Sequence, residues 1–133
     1  MVAAIPVPKS QPEDPPGELS LLCRGEHAVT FWRYPSGSWT VIEAVGEVDV
    51  SVTLSMREVL DGAPSSDLIL DLSRVTFMDA SGLAVLAAAR RRGTALGRVV
   101  RLVGPDARLR RLLTMTGLDQ VLPIYDCLEE ATR

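Results

Sequence analysis

The chain has few aromatic residues, two cysteines and a single histidine, and each scarcity excludes something. Only 5% of its 133 residues are Phe, Trp or Tyr, so a core must rest on Val, Leu, Ile and Ala. The basic stretches lack the interleaved aromatics on which unpaired bases stack, so direct nucleic-acid binding is not expected. Cys23 and Cys127 stand at opposite ends without CxxC spacing and read as free thiols of a reducing compartment. His27 is the lone histidine. With two distant cysteines and scattered carboxylates it offers no metal-ligand spacing, and it reads as a strand-end residue, so no metal is expected. Neither a GxxxxGK[ST] loop nor a GxGxxG fingerprint occurs, and no cofactor is expected. No apolar run approaches the roughly 20 residues that cross a bilayer. The first residues, MVAAIPVPKSQPEDPPGE, lack the basic and apolar regions of a signal peptide, which makes the cytoplasm the expected location. No feature argues for an enzyme.

What is present suits one globular domain. Hydrophobic residues make up 47% and charged residues 23%, unlike a disordered chain. The net charge of −3 conceals an asymmetry. Residues 76–118 hold eight arginines against two aspartates, whereas residues 1–75 hold five basic against eleven acidic side chains. Solvated helix and strand positions account for the basic stretch more simply than a binding face does.

Five of the nine prolines fall within residues 1–18, where neither a helix nor a central strand can persist; this segment is expected to be a flexible tail. Residues 19–26 form an ambiguous lead-in, and the domain proper is assigned to 27–133. HAVTFWRY reads as a strand, PSGS (35–38) as a turn and WTVIEAVG as the second arm of an antiparallel hairpin. Asp49 or Ser51 then offers a helix cap, with Leu54, Met56, Val59 and Leu60 at rough helical spacing and Asp61-Gly62 as the stop. DLILDL, residues 67–72, reads as a buried strand. SRVTFMD leads to a second helix, SGLAVLAAARRRG, expected to carry arginines in its last turn and to stop at Gly93. RVVRLVG is a further strand. Pro105 and Asp106 open a third helix that Gly117 closes. VLPIY, with its proline, suits only an edge strand, and a short helix over 127–132 ends the chain. Strands alternating with helices imply an α/β fold.

The strongest local signal is Phe77-Met78-Asp79-Ala80-Ser81-Gly82-Leu83. Asp79 is placed to accept hydrogen bonds from the free N–H groups of a first helical turn. Ser81 then lies at the positive end of the helix dipole, where a phosphate on its oxygen would be stabilised. Gly82 leaves room for the backbone of a partner. These residues alone are accounted for better by ordinary capping. Asp49 has two readings, a helix cap and an acidic partner-facing residue. The small apolar residues of the second helix, Val85 among them, serve either packing on the sheet or a partner surface.

Context adds to the motif. LILDLSRVTFMDASG (68–82), the earlier Gly46-Glu47-Val48-Asp49, and the run VVRLVGPDARLRRLLTMTGL before residue 119 occur in the order and spacing of STAS domains, and the chain from about His27 onward resembles that family. The resemblance implies a four-to-five-stranded mixed sheet with helices mainly on one face. It is specifically similar to bacterial anti-sigma-factor antagonists. These bind, when unphosphorylated, an anti-sigma factor that is also a serine kinase, and so release a sigma factor. Phosphorylation ends the binding, and a PP2C-type phosphatase restores it. Carried over, Ser81 is the phosphoacceptor, and Asp49, Asp79, Ala80, Ser81, Gly82 and Val85 form the expected partner-binding set. Ala80 departs from the family, where many members carry a second hydroxyl residue, and it leaves Ser81 as the only hydroxyl of the motif. The alternatives are a non-switching scaffold of the same fold, and a small-ligand or nucleotide sensor using the same helix start as an anion site.

Overall fold

The computed structural model describes residues 18–24, 27–64 and 66–133. The expected Pro-rich tail, apart from Glu18, lies outside the described residues, as do Gly25 and Glu26. The elements are β1 (Glu18–Arg24), β2 (His27–Ser36), β3 (Trp39–Val48), α1 (Thr53–Asp61), β4 (Asp67–Met78), α2 (Ala80–Leu96), β5 (Val100–Val103), α3 (Ala107–Met115), β6 (Ile124–Tyr125) and α4 (Leu128–Ala131). Among the described residues six strands form one mixed sheet in the order of the chain. The first two pairings are antiparallel and the other three parallel.

Two rules explain where the helices go. Parallel neighbours need a crossover, and such crossovers are right-handed. Here the strands from β3 to β6 advance in one direction across the sheet. Right-handed crossovers therefore place α1, α2 and α3 on the same face. That face holds the main core, in which Phe31, Ile42, Leu70 and Leu102 of the sheet meet Met56, Leu86 and Leu113 of the helices. The alternate residues Val41, Ile69 and Val103 form a smaller cluster on the other face, covered by Ala131 and Leu128 of α4. Arg101 ties α4 down. Its Nη1 donates to the carbonyl oxygens of Ala131 (2.7 Å) and Arg133 (3.0 Å), and its guanidinium lies over the rings of Trp39 and Tyr125. Cys127, next to α4, is a free and exposed thiol.

Several expectations are revised. The sheet gains a strand because Glu18–Arg24, the last residue of the expected tail together with most of the ambiguous lead-in, pairs along its whole length with β2. The β2–β3 turn is confined to Gly37 and Ser38, with Gly37 at φ 61°. β4 continues past Leu72 to Met78, because Val75 and Met78 keep pointing inward while Thr76 and Phe77 face out. Two register shifts against β3 accommodate the longer strand.

Val52, not Asp49 or Ser51, caps α1, and without a side-chain bond. Leu54 is off the buried face formed by Met56, Val59 and Leu60 and is 68% exposed. α2 runs through Gly93 and ends at Gly97, whose φ of 72° suits glycine. Gly93 serves a close approach instead: a Cβ there would lie 2.8 Å from Val100 Cγ2 and 3.1 Å from the Arg98 carbonyl oxygen. Arg90, Arg91 and Arg92 consequently fall short of the last turn. α3 is as expected, with Asp106 accepting from Leu109 N at 2.8 Å and Gly117 just beyond its end.

Candidate functional site

The parallel register of β3 and β4 brings two aspartates together. Val48 and Met78 are the last paired residues of these strands, so Asp49 and Asp79 emerge side by side at one edge of the domain. Asp79 N also donates to the Val48 carbonyl oxygen at 3.3 Å.

Asp79 is the N-cap of α2. Its Oδ1 accepts from Ser81 N (3.0 Å), Gly82 N (3.3 Å) and Ser81 Oγ (2.5 Å). These bonds favour the charged form. The Ser81 hydroxyl is the main cause that holds the carboxyl below its usual range; the Gly82 and Ser81 amides add to it, while partial burial and the charge of Asp49 oppose it. Asp79 therefore stays ionised, and it fixes the Ser81 oxygen at the positive end of a 17-residue helix whose first N–H groups it caps. Ser81 is half-buried and Ala80 and Ala84 are exposed.

The same local geometry occurs twice more. Asp49 Oδ1 accepts from Ser51 N (2.9 Å) and Ser51 Oγ (2.6 Å). Asp71 Oδ1 accepts from Ser73 N (3.0 Å) and Ser73 Oγ (2.7 Å). All three are Asp-x-Ser turns, in which a short acceptor satisfies its own neighbours. Only the third opens a helix, because Ser73 lies within β4 and Ser51 precedes the cap of α1. The helix start, not the turn, distinguishes Ser81.

Two of the expected partner-binding residues face inward. Val85 is 1% exposed and belongs to the main core. α2 presents Gly82, Leu86, Ala89 and Gly93 along its sheet side, and Val85 sits at the margin of that stripe toward α1. Gly82 is buried as well. A Cβ on it would lie 2.5 Å from Met78 Cγ and 3.1 Å from Val48 Cγ1. The glycine lets α2 close against the ends of β3 and β4, so the room it provides is taken by the protein itself.

The exposed apolar surface at this edge comes from other residues. Val50 is 72% and Leu54 68% exposed, directly after Asp49. The sequence signal was an apolar residue set inside a polar turn, between Asp49 and Ser51. On the sheet face away from α1–α3, burial and the carboxylates of Asp71 and Glu43 raise the Tyr34 hydroxyl pKa well above its usual value, and Arg74 pairs with Glu43 at 3.8 Å. Among the described residues no group of His, Cys, Asp or Glu is arranged to hold a metal, and no helix is long and apolar enough to cross a membrane.

Comparison with known proteins places this geometry in a family. The family model for the STAS domain matches residues 35–131. The chain is 29% identical over 90 residues to an anti-sigma F factor antagonist of Paenibacillus polymyxa, a match covering 65% of this chain and 77% of that one. An anti-sigma factor antagonist from Mycobacterium paratuberculosis superposes with a TM-score of 0.71 at 26% identity, over 78% of this chain and 91% of the other. The Bacillus protein SpoIIAA in its phosphorylated form superposes with a TM-score of 0.61 at 24% identity, over 77% and 96%.

Proposed function

The chain belongs to the STAS domain family, and from that membership we propose that it is an anti-sigma factor antagonist switched by phosphorylation of Ser81. In the unphosphorylated state it binds an anti-sigma factor with serine kinase activity and thereby releases a sigma factor in the cytoplasm. A PP2C-type phosphatase returns it to that state. Its own role is binding, and the chemistry belongs to its partners.

The observation that carries the proposal is the Ser81 hydroxyl, held by Asp79 at the start of α2 on an edge with exposed Val50, Leu54, Ala80 and Ala84. A partner resting on that edge covers apolar surface and meets a neutral hydroxyl. Phosphorylation changes both terms. It adds about −1.5 to −2 charges at pH 7 beside the ionised Asp79, with Asp49 close enough to be felt. It also removes the O–H that now donates to Asp79. A loss of about 3 kcal/mol at the interface weakens binding by more than a hundredfold. The positive end of the α2 dipole favours the phosphate within the free protein. A relative of this fold, SpoIIAA of Bacillus, is known in a phosphorylated form, which fits the same use of the fold.

A second reading, a non-switching scaffold, draws on the repeated Asp-x-Ser turn. The geometry at 49–51 and 71–73 arises with no helix start to receive a phosphate, so the same turn at 79–81 is accounted for by capping alone. Incubation of the purified protein with candidate anti-sigma kinases and ATP separates the two. Intact mass and complex formation are read together, against Ser81→Ala. One added phosphate on the parent only, with dissociation of the complex, is the expected result. A stable complex without phosphate refutes the switch and leaves the scaffold.

A further inference from the structure

At the other end of α2 lies a cavity that the switch does not use. Its volume is about 420 Å³, within the range of small-ligand sites. Leu60 of α1, Leu68 at the start of β4, and Val85 of α2 form its inner wall and are nearly fully buried. Ala88 and Ala89 extend that wall outward. Its mouth is basic. Arg57, Arg91, Arg92 and Arg98 line it with a single carboxylate, Asp61. Asp61 is engaged by Arg92 at 3.4 Å, so the other three arginines face the opening without that counter-charge. Arg98 Nε is buried and has no hydrogen-bond partner.

We propose that this cavity binds a medium-chain acyl carboxylate, with the chain against Leu60, Leu68, Val85 and Ala88 and the carboxylate at Arg98. The lining decides the ligand class. Aliphatic walls under a rim of arginines match an aliphatic chain that ends in an anion. A nucleotide would need an aromatic surface for its base, or amide and hydroxyl side chains for its base and sugar, and the lining contains neither. Arg91 follows Ser81 by about 15 Å along the helix, so an occupied cavity leaves the phosphorylation edge uncovered.

The test is a titration of the full chain with sodium decanoate, followed by calorimetry and by amide shifts in two-dimensional NMR. Decanol and ATP are titrated in parallel. The expected result is saturable single-site binding of decanoate, with shifts concentrated at Leu60, Ala88, Ala89 and Arg98. Decanol should bind at least about tenfold more weakly, which is about 1.4 kcal/mol. Arg98→Gln should weaken decanoate by a similar factor, and Ala88→Phe, which fills the cavity, should abolish binding; both variants are first checked for a native spectrum. Should Arg98→Gln fail that check, the exposed Arg91→Gln takes its place with the same expected loss. The absence of saturable binding up to about 1 mM overturns the proposal. So does decanoate binding that survives both the arginine and the Ala88 variants, since the chain then sits elsewhere. ATP binding in this cavity more tightly than decanoate overturns the ligand class.

Discussion

Gly82→Ala distinguishes a glycine that serves the protein's own packing from one that serves a partner. Two effects compete. Alanine is the better helix former by up to about 1 kcal/mol in a helix interior, and by less in the first turn. Against this, the new Cβ would lie 2.5 Å from Met78 Cγ, 3.1 Å from Met78 Sδ and 3.1 Å from Val48 Cγ1. Cγ is the middle of the Met78 side chain, not its flexible end, and Met78 and Val48 are both buried. Overpacking of this kind costs about 1–3 kcal/mol, so packing wins, and the variant should be less stable by about 1–2 kcal/mol. In urea this moves the midpoint down by about 1 M with the slope unchanged. Met78→Ala removes the clashing atoms. Gly82→Ala should therefore cost less in that background, and a double-mutant cycle measures the difference as a coupling energy. A Gly82→Ala variant as stable as the parent that nevertheless loses its partner would refute the reasoning and show that the glycine makes room for the partner's backbone.

Asp79→Asn keeps a capping oxygen and removes its charge, and the loss should be about 0.3–1 kcal/mol at neutral pH. The Asp79 pKa is lowered by folding, so its contribution is present above the unfolded value of about 3.9 and disappears as the pH falls through the folded value. Urea midpoints of parent and variant should converge across that acid range; a gap that persists there would refute the role of the charge. Gly97→Ala forces a side chain into a φ of 72° and should lower stability by about 1 kcal/mol, measured by thermal unfolding; an unchanged midpoint would contradict the cap. Arg101→Ala removes two carbonyl bonds and the contacts with Trp39 and Tyr125. It should cost about 2 kcal/mol and raise amide exchange first in α4, whereas uniform exchange across the sheet would show that Arg101 does not act through that helix.

The parts of this fold that were legible in sequence are those where one residue type has one local meaning. DLILDL reads as a buried strand because its residues serve clusters on both faces of the sheet. Asp106 and Gly117 bracket α3 because a cap and a left-handed glycine are local needs. Gly93 misled because glycine signals both a helix stop and a close approach, and only the later return of the chain at Arg98 and Val100 decides between them. Glu18–Arg24 becomes a strand through its pairing with β2, which its own residues do not announce. At the site, the Asp79–Ser81–Gly82 cap could be read directly, since all its bonds are local. The inward position of Val85 could not, because α2 is apolar around most of its circumference and no polar stripe marks its outer side. The arginine-rimmed cavity was further out of reach, being assembled from α1, α2, the beginning of β4 and the loop before β5.

The identity between strand order and chain order bears on how the molecule is made. Each strand pairs with the one synthesised just before it, so no pairing closes a loop longer than one crossover. Loop-closure entropy stays small at every step, and the mean sequence separation of contacts is low for a sheet with parallel strands. The antiparallel arms emerge first from the ribosome and can serve as a template on which each later strand–helix unit docks as it appears. The sheet thus grows from one edge in the direction of synthesis, with none of the described strands waiting on a distant, unmade partner.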